Sequence, residues 1–213
     1  MTLALFDRLE QLRLIPIVTI DDARHAEPLA DALVRGGLPC AEVTFRTDAA
    51  ARAIRAMTQR GNLLVGAGTV LLVDQVKVAL DAGAQFVVTP GLHPKVVNYC
   101  LERSIPIAPG VATATDIAWA LDRGLRVVKF FPAEALGGSR GLKALCAAYP
   151  MMRFIPTGGI HLSCVREYLR MPEVLACGGS WLASADLYAS GDYDAVARVV
   201  REAVSLVRHD GAS

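Results

Sequence analysis

The sequence predicts the α/β class: a single (β/α)8 (TIM) barrel over residues 1–213, opened by a short N-terminal helix. Three observations carry this. Short β-branched apolar runs alternate with longer segments of helical pattern. Strand starts recur roughly every 20–25 residues, the length of one βα unit. Eight such units follow one another with no break in composition, which argues for one closed barrel. The chain is short for that fold, so its loops must be tight. An open doubly wound sheet is the competing architecture. It fits less well, because no G-x-G-x-x-G follows the first strand and glycine- and proline-rich turns recur after many strands.

In chain order, "MTLALFDRLEQLR" reads as an amphipathic helix, since it has no basic n-region and carries Asp7, Glu10 and two arginines. The predicted strands are 15–20, 40–45, 63–68, 86–90, 105–110, 127–132, 153–159 and 174–180. Helical patterns lie between them, for example over 22–37, 74–84 and 115–125, with Gly36, Gly83 and Gly124 where a helix end wants a left-handed residue. No linker, low-complexity segment or charge run interrupts the pattern, and the terminal "RHDGAS" is expected to fray.

Composition narrows the function. With 53% hydrophobic and 20% charged residues the chain can bury a large core, and a net charge of +1 gives no basic field for nucleic acid. No apolar run approaches the ~20 residues of a membrane helix. The five cysteines are odd in number, widely spaced and form no CxxC, which suits reduced thiols in a cytoplasmic protein and disfavours a zinc cluster. His25, His93, His161 and His209 are scattered and read as structural or solvated.

The unusual residues fall at predicted strand C-termini. Lys129 lies between Val127, Val128, Phe130 and Phe131, where an ammonium is costly unless it has a task or a partner. Alternation in "CAEVTFR" puts Cys40, Glu42, Thr44 and Arg46 on one side, if the strand runs that far. Glu42 and Lys129 can then both point into the barrel near its top. The loops after the last two strands, "TGGI" and "CGGSW", sit where barrels often bind phosphate on backbone N–H groups. Each feature also has a plain structural reading. Lys129 and Glu42 could be a structural pair, Arg46 a surface residue, Thr69 a turn hydroxyl, Glu134 a local cap, and the paired glycines simple turns. Convergence of a lysine, a carboxylate, an arginine and an anion cradle on one rim favours a site.

That set permits specific chemistry. Burial disfavours the ammonium form, and a neutral amine attacks a ketone to form a Schiff base. The iminium withdraws electrons from the adjacent carbon, which carbon–carbon cleavage requires. Glu42 is placed to move protons, Arg46 to take a carboxylate by a two-pronged contact, and the glycine loops to hold a phosphate. This describes an aldolase for an acidic, phosphorylated keto sugar.

At these residues the sequence resembles the 2-keto-3-deoxy-6-phosphogluconate (KDPG) aldolases, including relatives that cleave 4-hydroxy-2-oxoglutarate (KHG). The matching stretches are "ADALVRGGLPCAEVTFRT", "VGAGTV", "DAGAQFVVTPGL", "VVKFFPAEALGG", "RFIPTGGI" and "CGGSWL", in family order over nearly the whole chain. The resemblance implies a class I mechanism without metal or cofactor, and the products pyruvate and glyceraldehyde 3-phosphate. It implies Lys129 as the Schiff-base lysine and Glu42 as the proton-transfer group. Arg46 and Thr69 would hold the pyruvate part, and Gly158, Gly159 and Ser180 the phosphate. It also implies a homotrimer. Ala112 and His93 stand where many relatives carry Ser and Thr, which blurs sugar stereochemistry and activity on unphosphorylated acids.

Alternatives remain at this stage. One is an aldolase for the galactonate epimer, whose "EVTxRT" region differs. A metal-dependent pyruvate aldolase would need a ligand cluster that the sequence does not display. A phosphosugar isomerase would not need a buried lysine, and a non-enzymatic scaffold would leave Arg46 and the cradle unexplained.

Overall fold

The computed structural model describes residues 2–208, and side chains from 4 to 207. It consists of parallel strands joined by helices. The strands are β1 (Leu14–Val18), β2 (Cys40–Thr44), β3 (Leu64–Gly68), β4 (Phe86–Val88), β5 (Ile107–Ala108), β6 (Gly110–Val111), β7 (Val127–Phe130), β8 (Arg153–Pro156) and β9 (Cys177–Gly179). The helices are α1 (Thr2–Leu12), α2 (Ala26–Gly36), α3 (Ala50–Gln59), α4 (Val73–Asp81), α5 (Pro94–Glu102), α6 (Ala114–Asp122), α7 (Gly138–Ala148), α8 (Val165–Leu169), α9 (Ala185–Ala189) and α10 (Tyr193–Arg208).

Pairing forms two sheets, a six-stranded one in the order β5-β4-β3-β2-β1-β9 and a three-stranded one in the order β6-β7-β8. The expected eight strands are thus drawn as nine. The run 105–110 is split at Pro109, and its halves pair to different sheets: Val88 with Ala108 on one side, Gly110 with Lys129 on the other. Pro109 has no N–H to give a ladder, but its carbonyl accepts from the Lys129 N–H at 2.9 Å. At the other seam, single parallel bridges join Phe154 to Val174 and Thr157 to Gly178.

The core matches the periodicities that predicted it. Helix-facing strand residues such as Ala41, Val43, Val65, Ala67 and Val87 are buried together with Leu29, Leu33, Ile54 and Val97 of the helices. The N-terminal helix buries Leu9 and Phe6 and is tied down by Arg153 Nη2 to Glu10 Oε1 at 2.6 Å. One helix end departs from expectation. α2 runs through Gly36, and Gly37, with φ +88°, takes the left-handed position. Gly36 is needed for space instead, since a Cβ there would lie 2.6 Å from Val200 of α10. Gly83 and Gly124 do have left-handed φ just beyond their helices. The expected fraying of "RHDGAS", and His209, lie outside the described residues apart from the backbone of Arg208.

Candidate active site

Because every pairing is parallel, the strands of each sheet present their C-terminal ends together, and the predicted site residues lie there or just beyond. Glu42 on β2 registers with Ile17 and Gly66, and Lys129 on β7 with Gly110 and Ile155. The two residues belong to different sheets, yet Lys129 Nζ lies 3.1 Å from Glu42 Oε1. They are 4% and 1% exposed. A buried ion pair is seldom a net gain in stability over apolar side chains of the same volume, so its presence here points to use.

The surroundings position both groups. A Cβ on Gly68, on the neighbouring β3, would lie 2.2 Å from Glu42 Oε1, so only glycine leaves room for the carboxylate in this place. The Phe131 ring lies 5.3 Å from Lys129 Nζ and shields it from one side. Thr44 Oγ1, two residues beyond Glu42, bonds Thr19 Oγ1 at 2.8 Å. Thr89 and Thr157 add buried hydroxyls at the ends of β4 and β8. Of these, the sequence pattern places Thr44 beside Glu42, whereas Thr89 and Thr157 are not expected from it. The signal was a threonine closing an apolar run, after Val43, after Val88 and after Pro156.

Thr69 follows β3 with φ +54°, a left-handed conformation unusual for a threonine and of a kind that clusters at functional sites. Arg46 corrects an expectation. β2 ends at Thr44, and Arg46 is exposed on the turn beyond it. The ladder extends only to the Phe45 N–H, which donates to Gly68 O at 2.8 Å, after which the chain turns toward α3. Arg46 lines a cleft of about 390 Å³ with Phe45, Asp48, Asp74 and Gln75 and has no ion-pair partner among the described residues.

Gly158 and Gly159 have successive left-handed φ values of +98° and +80°. Their carbonyl side is occupied: the Ala133 N–H donates to Thr157 O at 2.8 Å and the Glu134 N–H to Gly158 O at 3.0 Å. The Gly158 N–H is turned toward Gly178 O across the Thr157–Gly178 bridge, whereas the Gly159 amide has no protein acceptor among the described residues. Ser180 is exposed at the start of the short 3-10 helix Ser180–Ala183. The bridge between Thr157 and Gly178 brings this end of β9 beside the β8 loop.

The family model of KDPG and KHG aldolase matches residues 5–199. The chain belongs to the KDPG and KHG aldolase family. It is therefore an aldolase, a carbon–carbon lyase. It is 50% identical over 206 residues to the 2-dehydro-3-deoxy-phosphogluconate aldolase of Treponema pallidum, covering 96% of this chain and 98% of that protein. Among solved structures it is similar to the KDPG aldolase of Zymomonas mobilis with 3-phosphoglycerate, with TM-score 0.89, 38% identity, and 94% and 95% of the two chains covered. It is equally similar in shape to the Legionella pneumophila KDPG aldolase with pyruvate captured as a covalent carbinolamine, with TM-score 0.89, 33% identity, and 93% and 97% coverage.

The four histidines enter differently. His25 Nδ1 meets Tyr193 Oη at 2.7 Å, His161 Nδ1 meets Cys164 Sγ at 3.1 Å, and His93 precedes α5, while His209 is outside the described residues. No group of three or more His, Cys, Asp or Glu is placed to hold a metal among the described residues. No described helix is long and apolar enough to cross a membrane.

Proposed function

We propose that the chain is a class I aldolase that cleaves KDPG to pyruvate and glyceraldehyde 3-phosphate, and KHG to pyruvate and glyoxylate. The observation that carries this is the 3.1 Å contact between Lys129 Nζ and Glu42 Oε1 in a nearly closed setting. Glu42 takes a proton from the ammonium, and the free amine adds to the C2 ketone. The carbinolamine loses water to give an iminium. The C4 hydroxyl is deprotonated, the C3–C4 bond breaks, and its electron pair enters the iminium as an enamine while the aldehyde leaves. Protonation at C3 and hydrolysis release pyruvate and restore Lys129. Glu42, whose carboxylate lies 3.1 Å from the reacting amine, is the group for the proton steps.

Recognition falls to the rim. Gly158, Gly159 and Ser180 hold the phosphate on backbone and hydroxyl donors. Thr69 and Arg46 hold the pyruvate part. In the present arrangement Arg46 faces the cleft beside α3, and its long unpaired side chain turns toward the mouth when a carboxylate enters.

We also read the two sheets as one closed (β/α)8 barrel in a single domain of residues 1–213. β5 and β6 then form one strand interrupted at Pro109, and the bridges at Phe154–Val174 and Thr157–Gly178 form the other seam. The reach of Glu42 across to Lys129, from one sheet to the other, supports closure. The implied homotrimer is tested by light scattering, and cytoplasmic residence by fractionation.

The decisive experiment is incubation with pyruvate and borohydride followed by intact mass and peptide mapping. A pyruvate-derived adduct on Lys129, absent in Lys129→Ala, is the expected result. An adduct spread equally over Lys77, Lys95 or Lys143 overturns the assignment. EDTA is expected to leave the rate unchanged, and a loss restored by a divalent ion would move the reaction to the metal-dependent class.

A further inference from the structure

The loop that follows Lys129 and the loop that carries Gly158 and Gly159 are clamped together. Two backbone bonds, Ala133 N–H to Thr157 O and Glu134 N–H to Gly158 O, continue the β7–β8 pairing past the strand ends. A trans peptide places its N–H opposite its C=O. Holding the Thr157 and Gly158 carbonyls on one side therefore aims the next two amides to the other, where the Gly158 N–H turns to β9 across the Thr157–Gly178 bridge and the Gly159 N–H has no protein acceptor among the described residues. The Glu134 side chain closes the clamp, for a Cβ on Gly159 would lie only 2.7 Å from Glu134 Cβ and Cγ.

Glu134 is itself exposed, and its carboxylate is held from below. The hydroxyl of Tyr168, a fully buried side chain of α8, donates to Glu134 Oε1. Burial, reinforced by the bond to Glu134, pushes the phenol well above its ordinary range, so it stays a donor. The carboxylate is turned toward Gly138. A Cβ there would lie 3.5 and 3.6 Å from the two Glu134 oxygens and 3.7 Å from Tyr168 Oη. Gly138 opens the 11-residue helix α7, whose N-terminus favours negative charge. The charge of Glu134 is thus accommodated at α7 while its methylene groups press on Gly159.

We propose that Glu134 and Tyr168 are positioning residues for the phosphate: the Tyr168 hydroxyl fixes the Glu134 side chain, which holds the Gly159 amide in the direction an entering phosphate needs. The proposal rests on the phosphate reading of these loops. It makes the bond between Glu134 and Tyr168 a determinant of preference for phosphorylated over plain keto acids, although neither side chain touches the Schiff base.

The test measures kcat and KM for KDPG and for KHG in the unmodified protein and in Tyr168→Phe, Glu134→Ala and Glu134→Gln. Tyr168→Phe and Glu134→Ala should raise KM for KDPG by about tenfold or somewhat less, the size of one hydrogen bond. Their kcat for KDPG, their KHG cleavage and their borohydride trapping of pyruvate should stay unchanged. Glu134→Gln keeps an oxygen to accept the phenol proton and should restore KM to within about twofold. The proposal is overturned if the KDPG constants do not move, if both substrates lose equally, or if Gln fares as badly as Ala. Should Tyr168→Phe fold poorly, Glu134→Ala, at an exposed position, decides alone. The underlying phosphate reading fails separately, if the unmodified protein handles KDPG and its dephosphorylated form with equal kcat/KM.

Discussion

Lys129 and Glu42 are 4% and 1% exposed, whereas Gly159 and Ser180, on neighbouring strand ends, are open to solvent. The first region is built of buried side chains. There Gly68 leaves only enough room for a carboxylate, and Phe131 covers the amine. The second is built of backbone, with two left-handed glycines, of which Gly159 has an amide with no protein acceptor among the described residues. The difference teaches how each tolerates change. The buried pair is vulnerable to loss of a functional group. The glycine loop has no side-chain group to lose and is vulnerable to gain of a methyl.

Removal of the nucleophile should have the largest effect. Lys129→Met is expected to abolish cleavage and pyruvate trapping, because no other described lysine replaces it beside Glu42. It also leaves a buried carboxylate unpaired, at a stability cost of about 3–5 kcal/mol. The double variant Lys129→Met with Glu42→Gln should regain much of the lost melting temperature and none of the activity. Recovery of activity, or no recovery of stability, would break the view of the pair as functional and costly.

Next is the base. Glu42→Gln should lower kcat by about 10²- to 10⁴-fold with pyruvate binding largely kept. Near-normal turnover would place the base elsewhere. Glu134 is a poor substitute, since its carboxylate faces Tyr168 and α7.

Gly68→Ala sharpens the comparison, because it alters no functional group. Its methyl would sit 2.2 Å from Glu42 Oε1 and must displace the carboxylate, for a loss of about a hundredfold in kcat. Gly159→Ala is the counterpart at the exposed end. With φ +80° and Glu134 at 2.7 Å, it should raise KM for KDPG by about tenfold, the equivalent of a left-handed strain of about 1–2 kcal/mol, and spare KHG. If both variants changed kcat alone, the division between chemistry and recognition would collapse.

The smallest effect concerns thiols. Burial pushes Cys100 and Cys146 up to about 12, so both remain protonated at pH 8 and should resist iodoacetamide in the folded protein. Cys164, partly open beside His161, should react first, with little change in rate. Mass mapping against residual activity checks this.

Much of this was legible in the sequence. Lys129 in an apolar strand, Glu42 two residues before Thr44, and glycine pairs ending two strands are all local patterns, and period-2 and period-3.6 hydrophobicity fixes the parallel α/β order of elements. The N-terminal helix and the left-handed Gly83 and Gly124 followed from the same rules. Local pattern could not show that β2 stops at Thr44 and leaves Arg46 on an exposed turn, because a strand ends where its neighbour's ladder ends, at Gly68. Nor could it show that Gly36 serves α10 while Gly37 takes the turn, or that Tyr168 reaches Glu134. Above all, Glu42 and Lys129 are 87 residues apart and lie in different sheets. Sequence determined that each is a charge the chain must bury. Only the tertiary structure decided that they are each other's partner, because strand twist and curl, not sequence spacing, bring β2 and β7 face to face.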